Sequence, residues 1–277
     1  MAYLTASEMA FVCGILGNIV SFGVFLAPLP TFYRMYKKKS TEGFQSIPYS
    51  VALFSAMLYL YYAYLKKKDA LMLITINSFG TVIETIYLII FMIYATRKAK
   101  IYTTKLLILF NFGALGLIIV TTYLLAHGNK RIAVVGWICA VFSVSVFAAP
   151  LSIMVRVIKT KSVEYLPINL SVCLTLCAVM WFLYGLLIKD YYIASPNILG
   201  FTFGIVQMIL YAMFRKGPKQ EVIPEENVKQ FETVIDMTTL DNKKQEAHQD
   251  SSETAQVVAT KKENISTTKQ PNASDGA

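Results

Sequence analysis

The 277-residue chain has little charge. Only 16% of its residues are Asp, Glu, Lys or Arg, against about 25% in ordinary soluble domains. That shortage excludes a soluble or wholly disordered chain. Cysteine is scarce too: Cys13, Cys139, Cys173 and Cys177 each sit in an apolar stretch, with no CxxC pair. A disulfide scaffold and a structural zinc site are therefore not expected. The two histidines, His127 and His248, lie far apart, and no phosphate-binding glycine loop is present. No catalytic constellation, metal, cofactor or nucleic-acid partner is implied, and nucleotide-driven transport by this chain alone is not expected. What is plentiful is apolar surface: 55% of residues are hydrophobic, in continuous and not alternating runs. Continuous runs argue against a β-barrel and for an all-α integral membrane protein, with the lipid bilayer as its solvent.

Seven runs are long enough to span a membrane: roughly 9–33, 47–65, 70–95, 106–126, 132–155, 167–188 and 191–214. The first lacks a basic leader and is too long for a cleaved signal peptide. Arg and Lys in the short connections set orientation. One side carries 14, among them Arg34, Lys37–Lys39, Arg97, Lys98, Arg156 and Lys159. The other carries 6: Lys66, Lys67, Lys68, Lys130, Arg131 and Lys189. The C-terminus is expected in the cytosol and the N-terminus outside, although the triplet Lys66–Lys68 runs against the bias. Residues 217–277 are polar, with 7 Lys and 11 Asp or Glu, and are expected to form a disordered cytosolic tail. Its sequons, Asn264 and Asn272, would stay unglycosylated there.

The chain repeats itself. FGVFLAPLPTFYRMYKKKSTE (22–42) lies over VSVFAAPLSIMVRVIKTKSVE (144–164) at an offset of 122, pairing Pro28 with Pro150 and Arg34 with Arg156. MLYLYYA (57–63) lies over VMWFLYG (179–185) at the same offset, and Asn77 and Gly80 meet Asn197 and Gly200 at 120. The unit is three helices, and the fourth span has no counterpart. The expected boundaries are 1–96 for the first repeat, 97–130 for the linker helix, 131–216 for the second repeat and 217–277 for the tail. An odd helix between units makes them parallel repeats, a transporter design with its substrate site at the repeat interface.

At 1.5 Å per residue, Asn77, Asn197, Tyr59 and Trp181 fall at one depth. Two amides and two aromatic rings suit a neutral ligand with many hydroxyls, because an amide donates and accepts at once. The alternative is that both asparagines join neighbouring helices. Ser21, Val24, Ser55, Ser143, Val146 and Cys177 fall near mid-depth and are candidates to complete the pocket, or else to pack helices closely. Pro28, Pro48, Pro150 and Pro167 cluster at the cytosolic ends, as hinges of an inner gate or as static kinks and helix starts. Glu84 is the one acid deep in a span; it is a structural carboxyl or the site of a proton-coupled carrier. Asp190 sits near the level of Tyr62, where the two would latch an outer gate.

GILGNIVSFGVFLAPLPTFYRMYKKKSTEGFQSIPYSVALFSAMLYLYYA and VFSVSVFAAPLSIMVRVIKTKSVEYLP resemble the two repeats of plant SWEET sugar transporters, over about residues 1–216. The resemblance implies a 3+1+3 fold and alternating access. It implies passive, bidirectional uniport of sucrose or hexose, without ion coupling. It also implies homo- or hetero-oligomers with related transporters, on the plasma membrane or the vacuolar membrane. It carries the family's pocket residues onto Asn77, Asn197 and Trp181, its proline tetrad onto Pro28, Pro48, Pro150 and Pro167, and its outer gate onto Tyr62 and Asp190. FAAPLSIM with Val24 and Val146 is most similar to the sucrose-transporting clade. Tyr59 and Cys177 depart from that clade, which commonly has Trp and Ser there. The competing expectation from another class is a seven-helix receptor or scaffold acting through its tail.

Overall fold

The computed structural model describes residues 5–163, 166 and 168–215, without the side chains of 148 and 149. Pro167, Glu164 and the tail from 217, with its sequons, lie outside the described residues.

Every described element is a helix. Helix α1 (Ala6–Leu26) and α2 (Leu29–Lys38) make the first span. The second is α3 (Ile47–Lys66) and the third α4 (Leu71–Tyr94). The fourth runs unbroken through α5 (Arg97–Leu107), a π-helical stretch (Ile108–Ala114) and α6 (Leu115–Leu125). Helices α7 (Gly128–Val146) and α8 (Ala148–Thr160) form the fifth; α9 (Ile168–Leu187) and α10 (Tyr191–Phe214) are the sixth and seventh. Six of these segments are long and apolar enough to cross a membrane. Helix α3 is not among the six, because its five tyrosines and two serines dilute its apolar character. It takes its place by packing along α4.

The helix ends follow from local chemistry. Thr5 and Glu8 form a reciprocal capping box that starts α1. Pro28 and Pro30 interrupt the first span, since neither has an N–H for the helix ladder. Pro48, expected at a helix start, is the second residue of α3. Pro150 is the third of α8, just past the break at Phe147. Helices α2 and α8 both stop at lysines in the left-handed region, Lys39 and Lys161, each at φ 54°. The turns after α3 and α9 hold two more lysines at positive φ, Lys67 at 59° and Lys189 at 58°. Non-glycine residues adopt that region rarely. Both pairs are 122 residues apart, so the duplication extends to backbone torsions.

Packing repeats as well. Helix α4 lies between α1 and α3, and α10 between α7 and α9. Across the halves α1 packs on α9, and α3 on α7. The fourth span lies against α3 and reaches α7 through α6. The result is two parallel three-helix repeats joined by a linker helix. At one end Phe32, Met35 and Phe44 pack in one half, and their counterparts Met154, Val157 and Leu166 pack in the other. Helix α4 shows how burial is divided. Ile76, Gly80, Glu84, Tyr87 and Phe91 face inward, while Val82, Ile86, Ile89 and Ile93 form an exposed stripe. An exposed apolar stripe of that length belongs against lipid or another apolar surface.

The connection after α2 is braced by charge. Arg34 and Lys38 both bond the Glu42 carboxylate, at 2.7 and 2.5 Å. The Lys38 ammonium holds the Glu42 carboxyl below its ordinary range, with Arg34 adding to the effect. A depressed carboxyl contributes stability above its unfolded value and loses it only as pH falls through the folded one, so the brace persists at neutral pH.

Candidate functional site

Between the two halves lies a cavity of about 240 Å³, just under the ~300–1,000 Å³ usual for ligand pockets. Its wall is built almost wholly from repeat pairs: Ser21 with Ser143, Phe25 with Phe147, Tyr59 with Trp181, Leu73 with Ile193, Ile76 with Pro196, and Asn77 with Asn197. Ser55 is the thirteenth member. Among the described residues, no Asp, Glu, Lys, Arg or His reaches the wall.

Each asparagine is held by its own helix. Asn77 Nδ2 donates to Leu73 O at 2.9 Å, and Asn197 Nδ2 to Ile193 O at 2.7 Å. One N–H and the Oδ1 of each amide stay available to a ligand. The aromatic rings are held by the opposite half. Trp181 Nε1 donates to Ser21 Oγ at 3.0 Å, while Tyr59 OH and Ser143 Oγ are 2.8 Å apart. Each ring is thus tied to a serine of the other repeat.

Seven of the ten pocket candidates meet in this wall: Ser21, Ser55, Tyr59, Asn77, Ser143, Trp181 and Asn197. Val24, Val146 and Cys177 do not. Cys177 stands behind Ser21, with its Sγ 3.0 Å from the serine oxygen. The valines are displaced because the next inward position on each helix is Phe25 or Phe147, one turn below Ser21 or Ser143, and those rings form the floor. The floor packs on glycine: a Cβ on Gly80 would meet the Phe25 ring at 2.6 Å, and one on Gly200 the Phe147 ring at 3.2 Å. Both phenylalanines were legible as repeat mates but have no polar group to mark them. Pro196 was also missed. Inside α10 it removes the bond to the Tyr192 carbonyl, next to Asn197, where the first half has Ile76.

The latch pair meets at one end of the bundle. Tyr62 OH donates to Asp190 Oδ2 at 2.7 Å, and Lys66 Nζ binds the same oxygen. Asp190 Oδ1 meanwhile caps α10 through the amides of Tyr192 and Ile193. The other half answers with main chain: Tyr184, the mate of Tyr62, donates to Asp69 O at 2.6 Å. Tyr62→Phe removes a hydrogen bond to a buried charge, worth ~1.5–3 kcal/mol. It is expected to lower the thermal stability of the detergent-solubilised protein, at unchanged surface expression. At the opposite end Tyr87 OH donates to Phe25 O at 2.9 Å, satisfying a carbonyl left open by the α1–α2 break. Glu84 is buried outside the cavity wall, and its Oε2 has no partner among the described residues.

Comparison with known proteins gives a consistent set of matches. A family described as a sugar efflux transporter for intercellular exchange matches residues 11–99 and 133–219. These blocks fall on the two three-span units and leave most of the fourth span unmatched. Bidirectional sugar transporter SWEET13 of Oryza sativa subsp. japonica is 62% identical over 205 residues, covering 74% of this chain and 69% of its own. Bidirectional sugar transporter NEC1 of Petunia hybrida is 60% identical over 219 residues, covering 79% and 82%. A solved structure of a eukaryotic SWEET transporter superposes with a TM-score of 0.72 at 34% identity, over 76% of this chain and 99% of that one.

Proposed function

The chain belongs to the plant SWEET family of sugar transporters, and from that premise we propose that it is a bidirectional, energy-independent uniporter that moves sucrose, with hexoses as further cargo, by alternating access. One observation carries this reading. The interface cavity presents two held amides and two braced aromatic rings at matched repeat positions, with no acidic, basic or histidine side chain among the described residues of its wall. Such a wall suits a neutral polyol and leaves no charge there to couple an ion to the sugar. The site residues are Asn77, Asn197, Tyr59, Trp181, Ser21, Ser55 and Ser143, with Phe25 and Phe147 as the floor. Pro28, Pro48, Pro150 and Pro167 are inner hinges, and Tyr62 with Asp190 an outer latch strengthened by Lys66.

The Asp190 end faces outward and the Arg/Lys-rich end the cytosol, on the plasma membrane, where the chain assembles with copies of itself or related transporters. The repeats are 1–96 and 131–216, flanking a linker at 97–130 and followed by a tail at 217–277. Radiolabelled sucrose and glucose fluxes in oocytes, in both directions and with an uncoupler, test the reading. Uncoupler-insensitive sucrose flux both ways is expected. Accumulation that an uncoupler abolishes, and that Glu84→Gln also removes, would replace uniport with proton coupling at the buried Glu84.

A further inference from the structure

The cavity wall is symmetric in position but not in hydrogen-bonding capacity. On one flank Trp181 has a single N–H, and Ser21 accepts it at 3.0 Å. Ser21 Oγ lies 3.0 Å from Cys177 Sγ. Either atom can donate in that contact, so of the three hydrogens on this flank one stays free, on sulfur or on oxygen. On the other flank Tyr59 and Ser143 hold two hydroxyl hydrogens and share one bond of 2.8 Å. Whichever oxygen donates, one O–H remains. Ser55, four residues from Tyr59 on the same helical face, adds a third hydroxyl to the wall and has no partner among the described residues. Ser55 and Cys177 are repeat mates, so the halves differ by oxygen against sulfur and by phenol against indole.

We propose that Tyr59, Ser143 and Ser55 form the specificity-determining flank of the cavity. They offer two free O–H groups to acceptor oxygens of the sugar, while the Trp181–Ser21–Cys177 flank, with two of its three hydrogens used within itself, offers a ring face and a single donor. The sugar therefore binds in one orientation, although the protein around it is nearly two-fold. This rests on the sugar-transport reading of the cavity.

Competition against radiolabelled sucrose by sucrose analogues, each lacking one hydroxyl, tests it in oocytes expressing the full chain; glucose and its deoxy analogues serve if glucose is the cargo. One or two positions are expected to lose about three- to tenfold in competition, the size of one neutral hydrogen bond. In Tyr59→Phe/Ser143→Ala that penalty should shrink at those positions alone. Cys177→Ser restores a hydroxyl to the opposite flank and should make a further position sensitive. This near-isosteric change decides the matter even if the double variant fails to reach the membrane. Unchanged analogue profiles in the variants that reach the surface would overturn the inference. If Asn77→Ala still abolished flux, the sugar-binding cavity would stand without it. Absence of any sugar flux in the unaltered protein would remove the cavity reading itself.

Discussion

Asn77→Ala and Asn197→Ala are each expected to abolish most sugar flux while leaving the protein in the membrane. The two halves of that expectation have separate causes. Each amide uses one N–H on the carbonyl four residues back, which fixes its rotamer and aims the other N–H and Oδ1 at the cavity. Truncation removes a donor and an acceptor together. At ~1 kcal/mol per neutral hydrogen bond, plus the penalty for sugar hydroxyls left unpaired, the loss approaches ~2–4 kcal/mol, or about 30- to 1,000-fold. Folding is spared because the Leu73 and Ile193 carbonyls sit within regular helix and keep their backbone bonds. Flux normalised to surface protein is the measurement. Normal transport by either variant would sink the site assignment.

Gly185→Ala is expected to fail the other way, by loss of folded protein. A Cβ there would stand 2.8 Å from Ala194 N, 3.0 Å from Asp190 O and 3.1 Å from Ala194 Cα. All three are main-chain atoms, Asp190 just before α10 and Ala194 in its first turn, and none can swing aside. Overpacking of this kind costs ~1–3 kcal/mol or more. Small residues are what allow helices to approach so closely in a membrane. The first half has Ala63 at this position, and there the chain on to the next helix carries two more residues, as the repeat offset falls from 122 to 120 across Lys68 and Asp69. Gly80→Ala is the control. Its Cβ meets only the far end of the Phe25 ring, so that ring should tilt into the cavity, weakening transport while stability holds. Thermal stability of the detergent-solubilised variants separates the two. A Gly185→Ala protein as stable as the unaltered chain would refute the close-approach argument.

The spans were legible because each is a long apolar run between basic clusters, and the pairing of halves because the repeat is nearly gapless. Where sequence fell short, the missing information was usually a partner. Lys66 belonged to a triplet that ran against the charge bias. In the fold its ammonium is committed to buried Asp190, so it is a poor reporter of sidedness. Cys177 was a pocket candidate by depth, but depth does not say which residue stands in front, and Ser21 does. The π-helical stretch in the fourth span, where Asn111 Nδ2 reaches Met57 Sδ at 3.6 Å, left no periodic trace in an unbroken apolar run. The braces between Tyr59 and Ser143 and between Trp181 and Ser21 join residues 84 and 160 positions apart. Only their shared depth hinted at them.

Pro196 interrupts the ladder of α10 at the cavity wall, where Ile76 leaves α4 whole. The second half therefore carries a helix with one backbone bond fewer than its mate, and under the alternating access proposed above the opening to each membrane face would bend unlike helices. Half-saturation and maximal velocity should then differ between inflow and outflow. A carrier driven by nothing but the gradient must nevertheless show the same Vmax/KM in both directions, because at equal concentrations net movement is zero. Pro196→Ile should bring the two half-saturation values toward each other and leave the equality of the ratios untouched.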